Sequence, residues 1–361
     1  MSRVLYLCNS IKFLDSHRSN LIQRWLEEGA DVTIFTFDKD EDVAANYQSI
    51  GAEVIQSRTI MFLLRMIFFQ AKSQFDIVHA ITAKGIVLSA FMAEFSRRGE
   101  RHFVSVAGLG QLLDLSGVKG RLYRGLYKWA IRTLERRKAI FIVQNSYDKQ
   151  YLLGIGVSGD RISKVLGSGV NDSFFEGRKS RHTEERRVLF ASRLLKSKGV
   201  GDFVVLSKRF ARPGLRFQIA GDADFSNPDS ISEAEFQELK HSKTVEYLGN
   251  IPNIRQILSV TDLVVYPSVY GEGIPKFICE TMAMSVPVLA YDAPWVREVI
   301  TDDVSSFVVK AKDIESLCKR FVEVIDDHEK LTVTGLAAQR FGRDNFRVAK
   351  VTDFHFKLYK Q

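Results

Sequence analysis

Short apolar runs alternate with longer amphipathic stretches along almost the whole of this 361-residue chain. A strand covered on both faces reads as a continuous apolar run, and a helix packed on it shows apolar residues three or four apart. VLYLC (4–8) is the first such run, and SNLIQRWLEEG (19–29) follows with helical spacing and Gly29 placed to end it. DVTIFTF (31–37), residues 53–55, FDIVHAI (75–81), HFVSVAG (102–108) and AIFIVQN (139–145) continue the series. The rhythm restarts with RVLFAS (187–192), LRFQIAG (215–221), VEYLGN (245–250), DLVVYPS (262–268) and PVLAYD (287–292). Strands separated by helical crossovers form parallel sheets, so the pattern predicts two α/β domains. The expected boundaries are 1–172, a linker at 173–186, a second domain at 187–340, and a segment at 341–361 crossing back to the first. The linker falls in the charged stretch NDSFFEGRKSRHTEERR (171–187). Open parallel sheets bind ligands beyond the carboxyl ends of their strands, and two facing sheets put a site in the cleft.

Composition narrows the function. Apolar residues are 45% and charged residues 26%, which excludes a disordered chain or a fibre. Cys8, Cys279 and Cys318 are too few and too scattered for a disulfide framework or a cysteine zinc site. Lys and Arg outnumber Asp and Glu by 51 to 43, a net charge of +8. That balance points to phosphates, in nucleic acid, on a membrane surface or on a small molecule. MSRVLYLC opens directly on strand-like sequence, so no signal peptide is expected. The most apolar stretch, IMFLLRMIFF (60–69), contains Arg65. It falls short of the ~20 residues a spanning helix needs.

The loops after the second set of strands carry the chemistry. SRLLKSKGV (192–200) puts Arg193 and Lys198 five apart after the first strand, two cations suited to a diphosphate. YGEGIPKFICETMAMSVPV (270–288) puts Glu272 and Glu280 eight apart. Gly273 and Pro275 can open a helix whose N-terminal amides attract an anion. Glu280 would then lie about a turn and a half inside. One carboxylate can accept from paired hydroxyls while the other faces a sugar ring. Asp222 and Asp224, in IAGDAD (219–224), have the look of a metal-binding pair but read better as a polar turn. GLGQLL (108–113) lacks the third glycine of a dinucleotide fingerprint.

Taken in order, these segments resemble the GT-B glycosyltransferases of retaining family 4. Arg193…Lys198-Gly199, AGDAD, YLGN and EGIPKFICETMAMSVPV match motifs of their C-terminal domains. In the first half, CNSIKFLDSHRSN, DIVHAITAKG, VAGLG, VQNSYD and GSGVN resemble bacterial members that extend undecaprenyl-diphosphate sugars. The resemblance implies a GT-B fold, two Rossmann-like domains facing across a cleft. It implies transfer of an N-acetylhexosamine or related hexose from a nucleotide-sugar donor, UDP-linked, to a lipid-linked sugar. The product would be a surface polysaccharide such as lipopolysaccharide, capsule or O-antigen. The enzyme would be cytoplasmic and peripheral at the inner face of an anionic membrane, with no metal or other cofactor.

Residue roles follow from the same resemblance. Arg193 and Lys198 would hold the donor diphosphate, Glu272 would face the donor sugar, and Glu280 would accept from the ribose. Gly221, Gly273, Ile274, Pro275 and Lys276 would complete the donor side. His17, His79, Thr82, Lys84, Gly108 and Gly110 would stand on the acceptor or diphosphate side. Pro275 stands where many members have glycine, which removes one N–H, and Lys276 offers a cation nearby. Ile81 stands where many have a second histidine, so His79 reads equally as a buried structural residue. Two other classes stay open, a non-catalytic GT-B-like scaffold and a nucleic-acid binder. The second lacks a motif or an aromatic stacking surface. Residues 119–138 (KGRLYRGLYKWAIRTLERRK) form a basic amphipathic stretch. Its apolar side (Leu122, Leu126, Trp129, Ile131, Leu134) is expected to be mostly core, with Tyr123 and Tyr127 as interfacial anchors.

Overall fold

The computed structural model describes residues 1–57, 75–95, 99–109, 117–176 and 185–361. The chain divides into two units. The first is Met1–Ser168 with Gly271–Gly273 and Ala349–Gln361, and the second is Gly169–Tyr270 with Ile274–Val348. Arg65 and the apolar stretch 60–69 lie outside the described residues, as does Gly110.

Among the described residues the first unit holds a seven-stranded parallel sheet. Its strands are β1 (Arg3–Cys8), β2 (Asp31–Thr36), β3 (Glu53–Gln56), β4 (Ile77–Ile81), β5 (Arg101–Ser105), β6 (Ile140–Val143) and β7 (Ile162–Lys164). They run in the order β3-β2-β1-β4-β5-β6-β7. Val4 through Cys8 are fully buried because helices cover both faces. The period-two alternation of a strand then divides them. Leu5 and Leu7 join Ile86, Met92, Ile131 and Leu134 on one face. Val4, Tyr6 and Cys8 join Ile22, Trp25 and Tyr47 on the other. The helix Val348–Tyr359 completes this second layer with Val351, Phe356 and Tyr359. Each such side chain, fully buried, stabilises the fold by about 1.5–3 kcal/mol.

The second unit holds β8 (Arg186–Ala191), β9 (Leu215–Ala220), β10 (Glu246–Gly249), β11 (Leu263–Tyr266), β12 (Val288–Tyr291) and β13 (Phe307–Val309). Their order is β10-β9-β8-β11-β12-β13, again all parallel. Val188 and Phe190 pack with Phe203, Leu206, Phe217, Leu317 and Phe321. In each sheet the strand order reverses beside the first strand, between β1 and β4 and between β8 and β11. The expected α/β architecture of two Rossmann-like sheets is the one observed. No described helix is long and apolar enough to cross a membrane.

His79 occupies the core rather than the sheet edge, which corrects its acceptor-side assignment. It is fully buried on β4. Its Nδ1 lies 2.6 Å from Tyr359 Oη and its Nε2 lies 2.8 Å from Ser105 Oγ. Nδ1 thus ties the C-terminal helix to β4, and Nε2 links β4 to β5. Burial, with His355 and Arg18 nearby, holds its pKa far below the usual histidine range.

Candidate functional site

The loop after β8 is held at several points. Residues Lys196–Lys198 form a single 3-10 turn that ends on Gly199 at φ +83°. Asp229 fixes this turn. Its backbone carbonyl accepts from Lys196 N at 2.7 Å, and its carboxylate accepts from Ser197 N at 3.4 Å and from Ser197 Oγ. Val269 N donates to Ser197 O at 2.9 Å, which links the turn to the loop after β11. A Cβ on Gly199 would fall 2.2 Å from Pro267 O, so both its φ and its space require glycine.

These restraints carry Lys198 into a pocket of tyrosines. Lys198 is only 5% exposed. Its Nζ donates to Tyr266 Oη at 3.0 Å and stands 4.5 Å from the centre of the Tyr270 ring. Arg193 is exposed, and its Nη2 donates to the same Tyr270 hydroxyl at 3.2 Å. Tyr270 therefore gathers both cations, one over its ring and one at its hydroxyl. An ammonium held over a tyrosine face is favoured by cation–π attraction. Aromatic residues at strand ends read as core, so Tyr266 and Tyr270 were not singled out by sequence. Asp229, inside a polar insert, gave no signal either.

Gly221 shapes the neighbouring loop. A Cβ there would meet Ser192 O at 1.8 Å, and Gly221 N donates to Gly249 O at 2.8 Å. Its observed place is to seat β9 against the Arg193 loop. The side chains of Asp222 and Asp224 are engaged locally. Asp222 Oδ1 lies 3.0 Å from Tyr247 Oη, and Asp224 Oδ1 accepts from Ser226 N at 3.1 Å and Ser226 Oγ at 2.6 Å. Among the described residues no group of three or more His, Cys, Asp or Glu is placed to hold a metal ion.

The helix Lys276–Ala283 opens after Pro275, whose carbonyl accepts from Ile278 N at 3.0 Å and Cys279 N at 3.3 Å. Ile278, Cys279, Met282 and Ala283 bury one face and leave Glu280 on another. Lys276 Nζ lies 3.6 Å from Glu280 Oε1, one helical turn away. Lys276 is thus a partner of Glu280. Burial raises the carboxyl pKa of Glu280, and the Lys276 charge opposes that rise.

In the first unit the carboxyl ends of the strands gather a second set of residues. Asn9 N donates to Thr82 Oγ1 at 3.0 Å, and Lys84 N donates to Asn9 Oδ1 at 3.1 Å. These bonds join the loop after β1 to the turn after β4, at the reversal of strand order. Thr82 sits at φ +68°, a costly conformation for a β-branched residue of the kind found at functional sites. Lys84 is exposed, with Nζ 5.9 Å from the Phe37 ring centre. His17 is half-buried in the second turn of the helix Ile11–Glu27, stacked on Phe13 with ring centres 4.2 Å apart. Its Nδ1 lies 2.5 Å from Ser16 Oγ and 3.1 Å from Phe13 O.

The stretch Gly271–Gly273 belongs to this first unit. Gly273 N donates to Ala107 O at 3.3 Å. A Cβ on Gly108 would come within 2.5 Å of the Glu272 backbone, and one on Gly273 within 2.1 Å of Gln144 Oε1. Small residues on both sides therefore let Glu272 lie directly on the loop after β5, and Ile274 and Pro275 follow, both buried. Behind this contact lies Asp148, a residue the sequence did not flag. Its carboxyl is buried and its pKa is pushed up to about 7, against the opposing hydrogen bonds from Leu109 N–H and Asn145 Nδ2. Asp148 thereby braces the turn that carries Gly108.

Two family models match this chain. Residues 172–341 match the family model "Glycosyl transferases group 1" and residues 3–145 match "Glycosyl transferase 4-like". EpsD of Bacillus subtilis, a protein named as a glycosyltransferase, is 24% identical over 265 residues, covering 70% of this chain and 68% of its own length. The amylovoran biosynthesis glycosyltransferase AmsK of Erwinia amylovora is 23% identical over 164 residues, 42% of this chain and 39% of that protein. The crystal structure of Anabaena Alr3699/HepE in complex with UDP superposes with a TM-score of 0.81 over 100% of both chains at 17% identity. That last likeness is one of fold.

Proposed function

We propose that this chain is a glycosyltransferase of GT-B architecture that moves a hexose or N-acetylhexosamine, with retention, from a UDP-linked donor to a lipid-diphosphate-linked sugar. The observation that carries the reading is Lys198, 5% exposed at the carboxyl end of β8 and gathered with Arg193 around Tyr270. In this reading the donor diphosphate lies on these two cations, and Glu280 accepts from the ribose hydroxyls. Glu272 faces the donor sugar from its seat on Gly108. Thr82 and Lys84, at the edge of the first sheet, meet the acceptor.

The bond between the donor anomeric carbon and its phosphate oxygen breaks as the acceptor hydroxyl attacks the same face. The leaving phosphate oxygen takes the acceptor proton, so no protein nucleophile is needed. Negative charge grows on the diphosphate during this step, and cations fixed in advance stabilise it without reorganising. UDP is favoured by the HepE complex, and a polysaccharide product by the amylovoran relative. The lipid carrier rests on the sequence resemblance of the first unit.

The reading is tested by incubating the purified protein with a panel of UDP-, GDP- and ADP-sugars and a short-chain lipid-diphosphate sugar, with products weighed by mass spectrometry. One sugar added from a UDP donor supports it, and so does persistence of that activity in EDTA. Transfer that occurs only after Mg²⁺ or Mn²⁺ is returned removes the cation assignment.

A further inference from the structure

The helix Gly117–Arg136 turns apolar side chains toward solvent. Ile131 and Leu134 lie in the core, as does Tyr127, which is only 2% exposed and so is no interfacial anchor. Val118 and Leu122, in contrast, are each 72% exposed, and Tyr123 is 57% exposed. Val118, Leu122 and Trp129 lie four and seven residues apart, which places them on one helical face. The face continues onto the helix Thr82–Phe95. The Phe91 ring packs on Trp129 with centres 4.6 Å apart, and Phe95, one turn further, is 67% exposed. Arg136 Nη2 bonds Glu94 Oε1 at 3.1 Å and holds the two helices together.

Basic residues border this stripe. Arg121, Lys128 and Arg132 follow it along one flank, and Lys119 stands at its start, all exposed. Lys119, Arg121 and Lys128 form no ion pair among the described residues. The helix carries six Lys and Arg against one acid, Glu135. Single exposed apolar residues are ordinary, as at Val322 and Leu336 on other helices, whereas Val118, Leu122 and Tyr123 are grouped at one end of this one. Apolar side chains flanked by unpaired cations suit a helix lying in the plane of an anionic bilayer surface.

We infer that the stripe Val118–Leu122–Trp129 with Phe91 and Phe95 inserts into the headgroup region of an anionic bilayer, while Lys119, Arg121 and Lys128 bind lipid phosphates. The inference rests on the reading of a lipid-linked acceptor, whose sugar end lies at that depth. It adds the surface by which the enzyme reaches it.

Vesicles of phosphatidylcholine with and without phosphatidylglycerol, free of acceptor, keep docking separate from turnover. The wild type is expected to bind the anionic vesicles at least tenfold more tightly, with the difference shrinking at high salt. Leu122→Ser with Phe95→Ser is expected to weaken that binding about tenfold, and Arg121→Glu with Lys128→Glu by about fivefold per charge or more. These residues are exposed, so the fold should persist. Trp129 is half-buried while Trp25 and Trp295 are in the core, so lipids brominated near the headgroup should quench Trp129 selectively. Transfer to a soluble short-chain acceptor should be unchanged in both variants. Equal vesicle binding by wild type and Leu122→Ser/Phe95→Ser, or no quenching, overturns insertion. A dimer in sedimentation velocity that Leu122→Ser dissolves assigns the stripe to a second copy and also overturns it. Vesicle binding without transfer to any lipid diphosphate would leave the docking surface standing and remove the acceptor reading.

Discussion

Replacing Lys198 by alanine removes a cation that the fold takes trouble to place. Its ammonium lies 3.0 Å from Tyr266 Oη and 4.5 Å from the Tyr270 ring centre, in a pocket that leaves 5% of the residue exposed. A unit charge about 4 Å from a phosphate oxygen interacts by about 4 kcal/mol at an effective dielectric of about 20. Part of that attraction already exists for the bound donor and sets affinity. The remainder appears only as charge moves onto the leaving diphosphate and therefore sets the rate. Removal of one such preorganised group elsewhere costs about 10²–10³ in kcat. The Lys198→Ala variant is accordingly expected to lose a hundredfold or more in kcat with a smaller change in donor KM. The assay is steady-state transfer to a short-chain acceptor, with thermal melting to show that the fold is kept. Tyr266→Phe, which deletes the hydrogen bond to Nζ, should lower kcat several-fold. A Lys198→Ala enzyme that turns over within about threefold of wild type would refute the assignment of the diphosphate to this pocket.

Glu280→Gln should raise the donor KM by tenfold or more with little change in kcat, since a hydrogen bond to a charged group contributes about 1.5–3 kcal/mol and the ribose does not change during reaction. The folded pKa of Glu280 is raised, so the ionised carboxyl detracts from stability as pH rises through that value. The Gln variant should therefore melt higher than wild type at neutral pH, as differential scanning calorimetry can read. His102 and His355 have pKa values lowered to about 4 and about 3, first by burial and then by Arg137 and Arg18 respectively. Their neutral forms favour the folded state above the unfolded pKa near 6.5, and that stability is lost as pH falls toward the folded values. Denaturant midpoints should thus drop between pH 7 and pH 5, and His102→Asn should make the drop shallower. A Tyr359→Phe variant leaves a ring nitrogen of buried His79 without its partner at 2.6 Å and should lose about 1–3 kcal/mol of stability.

The strands were legible because both faces of each are covered, which turns Val4–Cys8 or Leu263–Tyr266 into plain apolar runs. The position of Arg193 and Lys198 at the carboxyl edge of the second sheet was legible because both follow closely on β8, and that of Glu280 within a helix because Gly273 and Pro275 precede it. What hid was whatever depended on a partner distant in the chain. Tyr270 reads as one more aromatic until it is seen to hold Arg193, 77 residues away. Asp148 reads as a solvated carboxylate, yet it is buried and accepts from Leu109 N–H, 39 residues back in the chain. His79 could not be assigned from its motif because Tyr359, which engages it, lies 280 residues further on. Leu122 has the spacing of a core residue, and only the packing of its neighbours shows that it faces out.

The central claim is that Arg193 and Lys198 recognise a diphosphate, and calorimetric titration with UDP and with UMP tests it most directly. The two ligands share base and ribose and differ in one phosphate. Wild type is expected to bind UDP tenfold or more tightly than UMP, since charge-assisted hydrogen bonds to the second phosphate are lost with it. Arg193→Ala with Lys198→Ala should erase that preference, and Glu280→Gln should weaken both ligands alike and keep it. An unchanged UDP-to-UMP ratio in the Arg193→Ala/Lys198→Ala protein would contradict the account.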